Sequence, residues 1–209
     1  VDQAMNRFGT VLIGAGFAFL VSTAQAAIFN NGVGLTSPDQ TIDFGSVALA
    51  FNQPVTTQFA SLGVTFTDAF GNPDSSAYSN MIGNRIGNFE GGITAHPDFS
   101  MSFANDLSAV GFAMVGGDGG VATVIAYLNG VAVETFVFNT NVTNPVNYYG
   151  FSDIVFDEVQ IDVVSFDNAF MIDNLQTSAA VPEPSTATLL LAAGLASIGF
   201  AARRRLTRR

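Results

Sequence analysis

The chain has 209 residues, enough for one domain or two small ones, a formal net charge of −10 and no cysteine. Disulfides, thiolate metal sites and cysteine nucleophiles are therefore excluded. The charge is segregated: residues 27–180 hold one basic residue, Arg85, against 15 acidic ones, a net of −14 without any lysine, and such a surface repels nucleic acid and anionic lipid.

The first segment reads as an export signal, residues 1–26. Met5-Asn6-Arg7 gives a short positive start, and Phe8 to Val21 is an uncharged apolar run. Ala24-Gln25-Ala26 ends the segment with an Ala-x-Ala pattern, so cleavage by signal peptidase is expected after Ala26. The run is short for a membrane span. Val1 to Ala4 precede the signal, so Met5 is one candidate start and an alternative start codon at Val1 is the other.

Residues 27–180 form the expected folded domain. Short alternating apolar runs are separated by Gly, Asn, Asp and Pro, which predicts an all-β fold, an antiparallel β-sandwich. Val64 and Phe66 alternate with Thr65 and Thr67. Residues 70–96 carry many Asn, Gly and Ser and are expected as a long loop. Phe99, Met101 and Phe103 alternate with Ser100 and Ser102. Leu107 to Met114 and Val121 to Leu128 are apolar enough for strands buried on both faces. Gly116 to Gly120 is expected as a loop, with Asp118 at a turn. Val121–Leu128 and Val131–Phe138 flank Asn129-Gly130, which predicts a hairpin with a type I′ turn. Asp153, Asp157, Glu158 and Asp162 read as a solvated acidic face, while Val159, Ile161 and Val163 point inward.

The last segment, residues 181–209, has three parts. Val181-Pro182-Glu183-Pro184-Ser185 is stiff and non-helical, because each proline fixes φ and removes a donor. Ala187 to Ala202 is uncharged and predicts a transmembrane helix, about 24 Å long at 1.5 Å per residue. Arg203, Arg204 and Arg205 open the basic end, 203–209, which stays on the cytoplasmic side and leaves the domain outside.

Pro182-Glu183-Pro184, the apolar helix and the arginine cluster together resemble the PEP-CTERM sorting signal. The resemblance implies that an exosortase, a membrane cysteine protease-transpeptidase, cuts near Pro182-Glu183-Pro184. It also implies a Gram-negative host that makes exopolysaccharide. Thr41 to Gly45, Leu62 to Phe66, Ala109 to Phe112 and Phe170 to Leu175 resemble segments of the jelly-roll domains found in PEP-CTERM proteins and carbohydrate-binding modules. The expected fold is thus a jelly-roll-like sandwich flanked by an N-terminal signal helix and a C-terminal transmembrane helix.

Calcium-binding jelly-roll modules place ligands on their first and last strands. By that resemblance Asp43 and Asp173 are the expected ligands of a structural Ca²⁺ ion, with Asn174 as an addition that alternation puts on the opposite face. Tyr78, Tyr127, Tyr148 and Tyr149 are the amphipathic aromatics, and Tyr148-Tyr149 is the expected sugar-stacking platform. His96 is the one histidine and reads as a loop residue, and no Gly-x-Ser-x-Gly marks a nucleophile.

The reading is a non-enzymatic exported protein of the cell surface or matrix, binding or structuring exopolysaccharide. A secreted polysaccharide hydrolase is the alternative. An ice-binding role is disfavoured by the lack of a regular Thr-x-Thr array.

Overall fold

The computed structural model describes residues 25–73, 78–90, 94–95, 98–116, 120–140, 145–164 and 168–181. The expected signal, transmembrane helix, arginine cluster, Asp118 and His96 lie outside these residues. In chain order the strands are β1 (Ala27–Asn31), β2 (Gln40–Ile42), β3 (Pro54–Val55), β4 (Val64–Thr67), β5 (Ala69–Asn72), β6 (Arg85–Gly87), β7 (Phe89–Glu90) and β8 (Thr94–Ala95). β9 (Asp98–Gly116), β10 (Val121–Leu128), β11 (Val131–Asn139), β12 (Tyr148–Val164) and β13 (Phe170–Ala179) follow. One 3-10 turn, Ala60–Leu62, is the only helical element among the described residues, and no helix there is long and apolar enough to cross a membrane.

β9 and β12 are 19 and 17 residues long and pair antiparallel through most of their length. Each contributes one half to each of two sheets. The first half of β9 pairs with β4 on one side (Phe66↔Met101) and with the second half of β12 on the other (Met101↔Val159). β10 extends that sheet (Val124↔Ile161) and β11 ends it (Val124↔Phe136). The second half of β9 pairs with the first half of β12 (Phe112↔Tyr149) and with β13 (Val110↔Thr177). β1 adds to β12, while β2 and β6 share the far edge of β13. The ladder breaks register where the strands pass from one sheet to the other. Ser102 faces Glu158, yet Leu107 faces Phe156, and Asp153 takes a positive φ of 68°.

The two sheets face each other across an aromatic core. Phe136 stacks on Phe151 at 4.4 Å, Phe99 stacks on Phe170 at 5.0 Å, and Phe138 meets Tyr149 edge-on at 5.2 Å. Each pair joins a residue of the first sheet to one of the second, and each adds about 0.5–1.5 kcal/mol beyond simple burial. The fold is thus an antiparallel all-β sandwich. The alternation of Phe99 and Met101, and of Val159, Ile161 and Val163, sends these side chains into that core.

The outer faces differ. That of the first sheet is open, and Val131 and Val137 of β11 are both 66 % exposed. That of the second sheet is covered: Ala113, Val115 and Tyr148 pack under Met81, with Tyr78 and Met171 beside them. Leu107 to Met114 is accordingly buried on both faces, as expected, whereas Val121–Leu128 alternates and buries one face only. The Asn129-Gly130 turn is of the expected kind, with φ of 52° and 75°. Asp157 fastens it by accepting the Asn129 N–H.

Residues 70–96 depart from the loop expectation. β5 and β6 pair there, and between them Tyr78 and Met81 pack down onto the second sheet. The Gly, Asn and Ser of this stretch disguise short strands that nevertheless bury Phe70, Ile86 and Arg85.

Gly111 and Gly150 are cross-strand partners, and the ring of Phe29 lies over both. A Cβ on Gly150 would collide with the Val110 carbonyl, which is fixed in the strand backbone, and with the tip of the half-buried Phe29 ring. We expect Gly150→Ala to cost about 1–3 kcal/mol, lowering Tm by several degrees. Gly32→Ala, whose new carbon would meet only the Pro145 carbonyl at 3.6 Å, should leave Tm within a degree or so. Thermal unfolding of both variants checks this.

Candidate functional site

The covered face of the second sheet gathers most of the residues singled out from the sequence. Its centre is Asp173, 1 % exposed, on β13. Asp173 pairs with Ala113 of β9 on one side. On the other, Ile172 pairs with Ile86, which sets Arg85 opposite Asp173 in the same antiparallel ladder. Arg85 is fully buried and stacks its guanidinium over Tyr78, 4.9 Å from the ring centre. The one cation of the domain thus lies inside it, beside a buried carboxylate.

β13 bulges immediately after Asp173. Asp173 faces Ala113 but Gln176 faces Gly111, and Asn174 takes a positive φ of 48° to absorb the extra residue. Ile172 and Leu175 both enter the core. Asp173 and Asn174 therefore share the outer side, which corrects the expectation that strict alternation separates them. An asparagine in the left-handed region is the local signal for this bulge, since Asn adopts it more readily than most residues.

The bulge holds the segment around residues 78–84. The Ile82 N–H donates to Asp173 Oδ2 (2.9 Å), and the Asn174 N–H donates to Asp173 Oδ1 (2.6 Å). Asn174 Nδ2 donates to the Asn80 carbonyl (2.6 Å). Asn80 Nδ2 donates to Asn147 Oδ1 (2.7 Å), and Asn147 Nδ2 donates to the Ser79 carbonyl (2.6 Å). Sequence reading missed Asn80, Asn147 and Arg85 as members of this cluster. Arg85 carried the one available signal: a lone cation in a domain of net −14 has every reason to sit beside a carboxylate.

Burial pushes the Asp173 carboxyl up from 3.8 to about 6. The two backbone N–H groups and Arg85 pull it down, and the neighbouring Asp43 charge pushes it up again. Burial, and then Asp173 itself, raise the Tyr148 hydroxyl.

Asp43 lies near enough to Asp173 for its charge to act there. Leu175 pairs with Ile42, so Asp43 follows directly at the level of Asn174. Asp43 is exposed and its Oδ1 accepts the Gly45 N–H (3.0 Å). As a calcium cage, however, this donor set does not fit. Ca²⁺ takes 6–8 oxygens. Both Asp173 oxygens already accept N–H groups, and the Arg85 guanidinium supplies the positive charge at the same carboxylate. Among the described residues no three His, Cys, Asp or Glu side chains lie close enough to hold a metal ion.

Tyr148 and Tyr149 do not form an exposed platform, which corrects that expectation. As neighbours in a strand they point to opposite sides. Tyr148 is buried on the covered face, and Tyr149 is buried in the core with its hydroxyl donating to the Asn139 carbonyl (3.1 Å). The acidic stretch is also more ordered than a solvated face requires. Asp162 pairs across β12 and β9 with Asp98, and burial and then the Asp98 charge raise its carboxyl. Gln160 Nε2 donates to Asp98 Oδ2, and the Tyr127 hydroxyl donates to Gln160 Oε1.

Because the Asp173 carboxyl is raised in the fold, its contribution to stability is fully present below the unfolded value of 3.8. It is lost as pH rises through about 6. The difference is about 3 kcal/mol, and Asp162 adds to it in the same direction. Tm should therefore fall between pH 4 and pH 7, and Asp173→Asn should flatten most of that slope. Arg85→Met should lower Tm more at pH 7 than at pH 5, by removing the cation that helps hold the Asp173 carboxylate charged. Calcium or EDTA should leave the melt unchanged, and a calcium-induced rise in Tm would restore the ion.

No curated protein matches the chain. Three solved structures show a general similarity. The enzymatically active domain of tailspike protein 4 of bacteriophage CBA120 is 17 % identical at a TM-score of 0.39, covering 62 % of this chain. This chain spans only about a fifth (21 %) of that structure's length. A carbohydrate-binding module, CBM35, from Paenibacillus barcinonensis is 16 % identical at a TM-score of 0.36, covering 56 % of this chain and 94 % of its own. A family 6 carbohydrate-binding module is 8 % identical at a TM-score of 0.35, covering 64 % of this chain and 94 % of its own. Scores of this size carry no argument about ligand or activity. The tail is a different matter: the family model of the PEP-CTERM protein-sorting motif matches residues 180–205, and that motif is the mark of an exported protein.

Proposed function

We propose that this protein is a non-catalytic binding or structural module of the bacterial cell surface or exopolysaccharide matrix, delivered there through its C-terminal sorting signal. The observation that carries the reading is where the motif begins. β13 ends at Ala179, the Ala180 N–H donates to the Asp106 carbonyl (3.0 Å), and Val181 is already 84 % exposed. The motif starts at residue 180. The last described strand closes before the sorting residues begin, so a cut at Pro182-Glu183-Pro184 leaves every described strand and core side chain in place. A signal read and removed at that place needs such a junction. Proline at 182 and 184 also keeps the peptide extended, the form in which a protease-transpeptidase takes its substrate.

The polymer partner follows from charge. Residues 27–180 carry a net of −14, and their one cation is buried. Anionic polymers are repelled at every approach, which leaves neutral polysaccharide as the compatible matrix component.

In a host that makes exosortase, mass spectrometry of the exported chain should find a C-terminus near Pro182-Glu183-Pro184. Replacing Pro182, Glu183 and Pro184 together by alanine should leave Arg209 on the protein and hold it in the membrane fraction. Exported wild-type chain still ending in Arg209 would make the tail a permanent anchor. Glycan arrays of the exported chain, run beside hydrolysis assays on the same polymers, should show binding without turnover. Turnover abolished by one carboxylate substitution would make it a hydrolase instead.

A further inference from the structure

The register break in β9 builds a second feature, away from the Asp173 cluster. β9 advances five residues, from Ser102 to Leu107, while β12 moves only two, from Glu158 to Phe156. The surplus residues bulge away from the ladder and leave Phe103 against Phe156, with ring centres 6.0 Å apart and edge to face. Between this bulge, the 3-10 turn ending at Leu62 and the β2–β13 pair lies a cavity of about 100 Å³. Leu62, Phe103 and Leu107 give it apolar walls, and Gln40, Asn105 and Thr177 line it with polar groups.

Gln40 and Thr177 are directly paired across β2 and β13, so their side chains stand together. Thr177 is only 6 % exposed. Among the described residues half-buried Gln40, exposed Asn105 and buried Thr177 make no side-chain hydrogen bond, so their polar groups are open to a ligand. The Thr177 hydroxyl is not sealed from water, so it keeps its hydrogen bond for whatever enters the cavity.

We propose that this cavity binds one unit of a neutral sugar chain. Two carboxamides and a hydroxyl provide donors and acceptors side by side, which suits adjacent ring hydroxyls that are donors and acceptors themselves. The Phe103 ring and the leucines suit the C–H face of the same ring. No charged side chain lines the cavity, and the surrounding domain is strongly negative, so uronic or sulfated units are rejected. About 100 Å³ is the share of roughly three waters. That admits one edge of one ring. The inference rests on the polysaccharide reading for its polymer but on the cavity alone for its site.

The test is amide chemical-shift mapping of the exported chain with D-glucose, D-xylose and D-glucuronate, beside a binding assay with intact neutral polysaccharide. Glucose or xylose should shift the Gly63, Asn105 and Thr177 amides saturably, with millimolar affinity, and glucuronate should not. Thr177→Val keeps shape and removes the hydroxyl, and it should weaken binding about 3- to 10-fold at unchanged Tm. Asn105→Ala, at an exposed position, should do the same and serves if Thr177→Val folds poorly. Absent shifts at these amides, equal shifts with glucuronate, or full affinity in both variants would overturn the site. If intact polysaccharide binds while the cavity stays silent, the cavity fails and the polysaccharide reading stands. If the cavity binds sugar while intact polymer does not, the reverse holds.

Discussion

The pairing of β9 with β12 is the constraint from which the rest of the sandwich hangs. Two strands long enough to belong to both sheets fix the separation and the angle of those sheets without any loop between them. The cost is a break in register where each strand changes sheet, and the chain places its irregular residues there: Asp153 in the left-handed region, and the surplus from Phe103 to Asp106. Stacking of Phe99 on Phe170 and of Phe136 on Phe151 then locks the two faces together. The cavity beside Phe103 is a by-product of the same break, since a strand with surplus residues has to bend around something.

The second sheet is tied down by charge rather than by apolar mass alone. Asp173 is buried at the cost of a raised carboxyl, and Arg85 opposite it offsets that cost. Removing both at once would be milder than removing either, because the penalty lies in leaving one charge alone in a dry place. The asparagine network around them gives the loop over this face a single arrangement. Each of its amides has a backbone or side-chain partner, so sliding the loop by one residue would strand several of them.

Much of the fold was legible from periodicity. Glu158 to Val163 and Phe99 to Phe103 alternate because one face of the first sheet is open, and Asn129-Gly130 can form few turns other than the one it makes. The strands at Ala69–Asn72 and Arg85–Gly87 were not legible, because each is only three or four residues long, ends in or contains glycine, and is too short to show an alternation. In the candidate site, Asp43 acts on Asp173 only through its charge, and the bulge at Asn174, which puts Asn174 on the side of Asp173, was not legible. Alternation assumes a regular ladder, and one extra residue reverses it. The Tyr148-Tyr149 pair misled for the opposite reason: adjacent residues in a regular strand face opposite sides, and here both sides are covered.

Arg85 has a further consequence outside the protein. It is the only lysine or arginine between residues 27 and 180, and it is fully buried. A protease that cleaves after basic residues finds no accessible site in the folded domain and one site in the unfolded chain. Digestion by such an enzyme therefore has to wait for the second sheet to open, and its rate reports that opening. For a protein left outside the cell, the single buried cation removes a whole class of secreted proteases from its list of hazards.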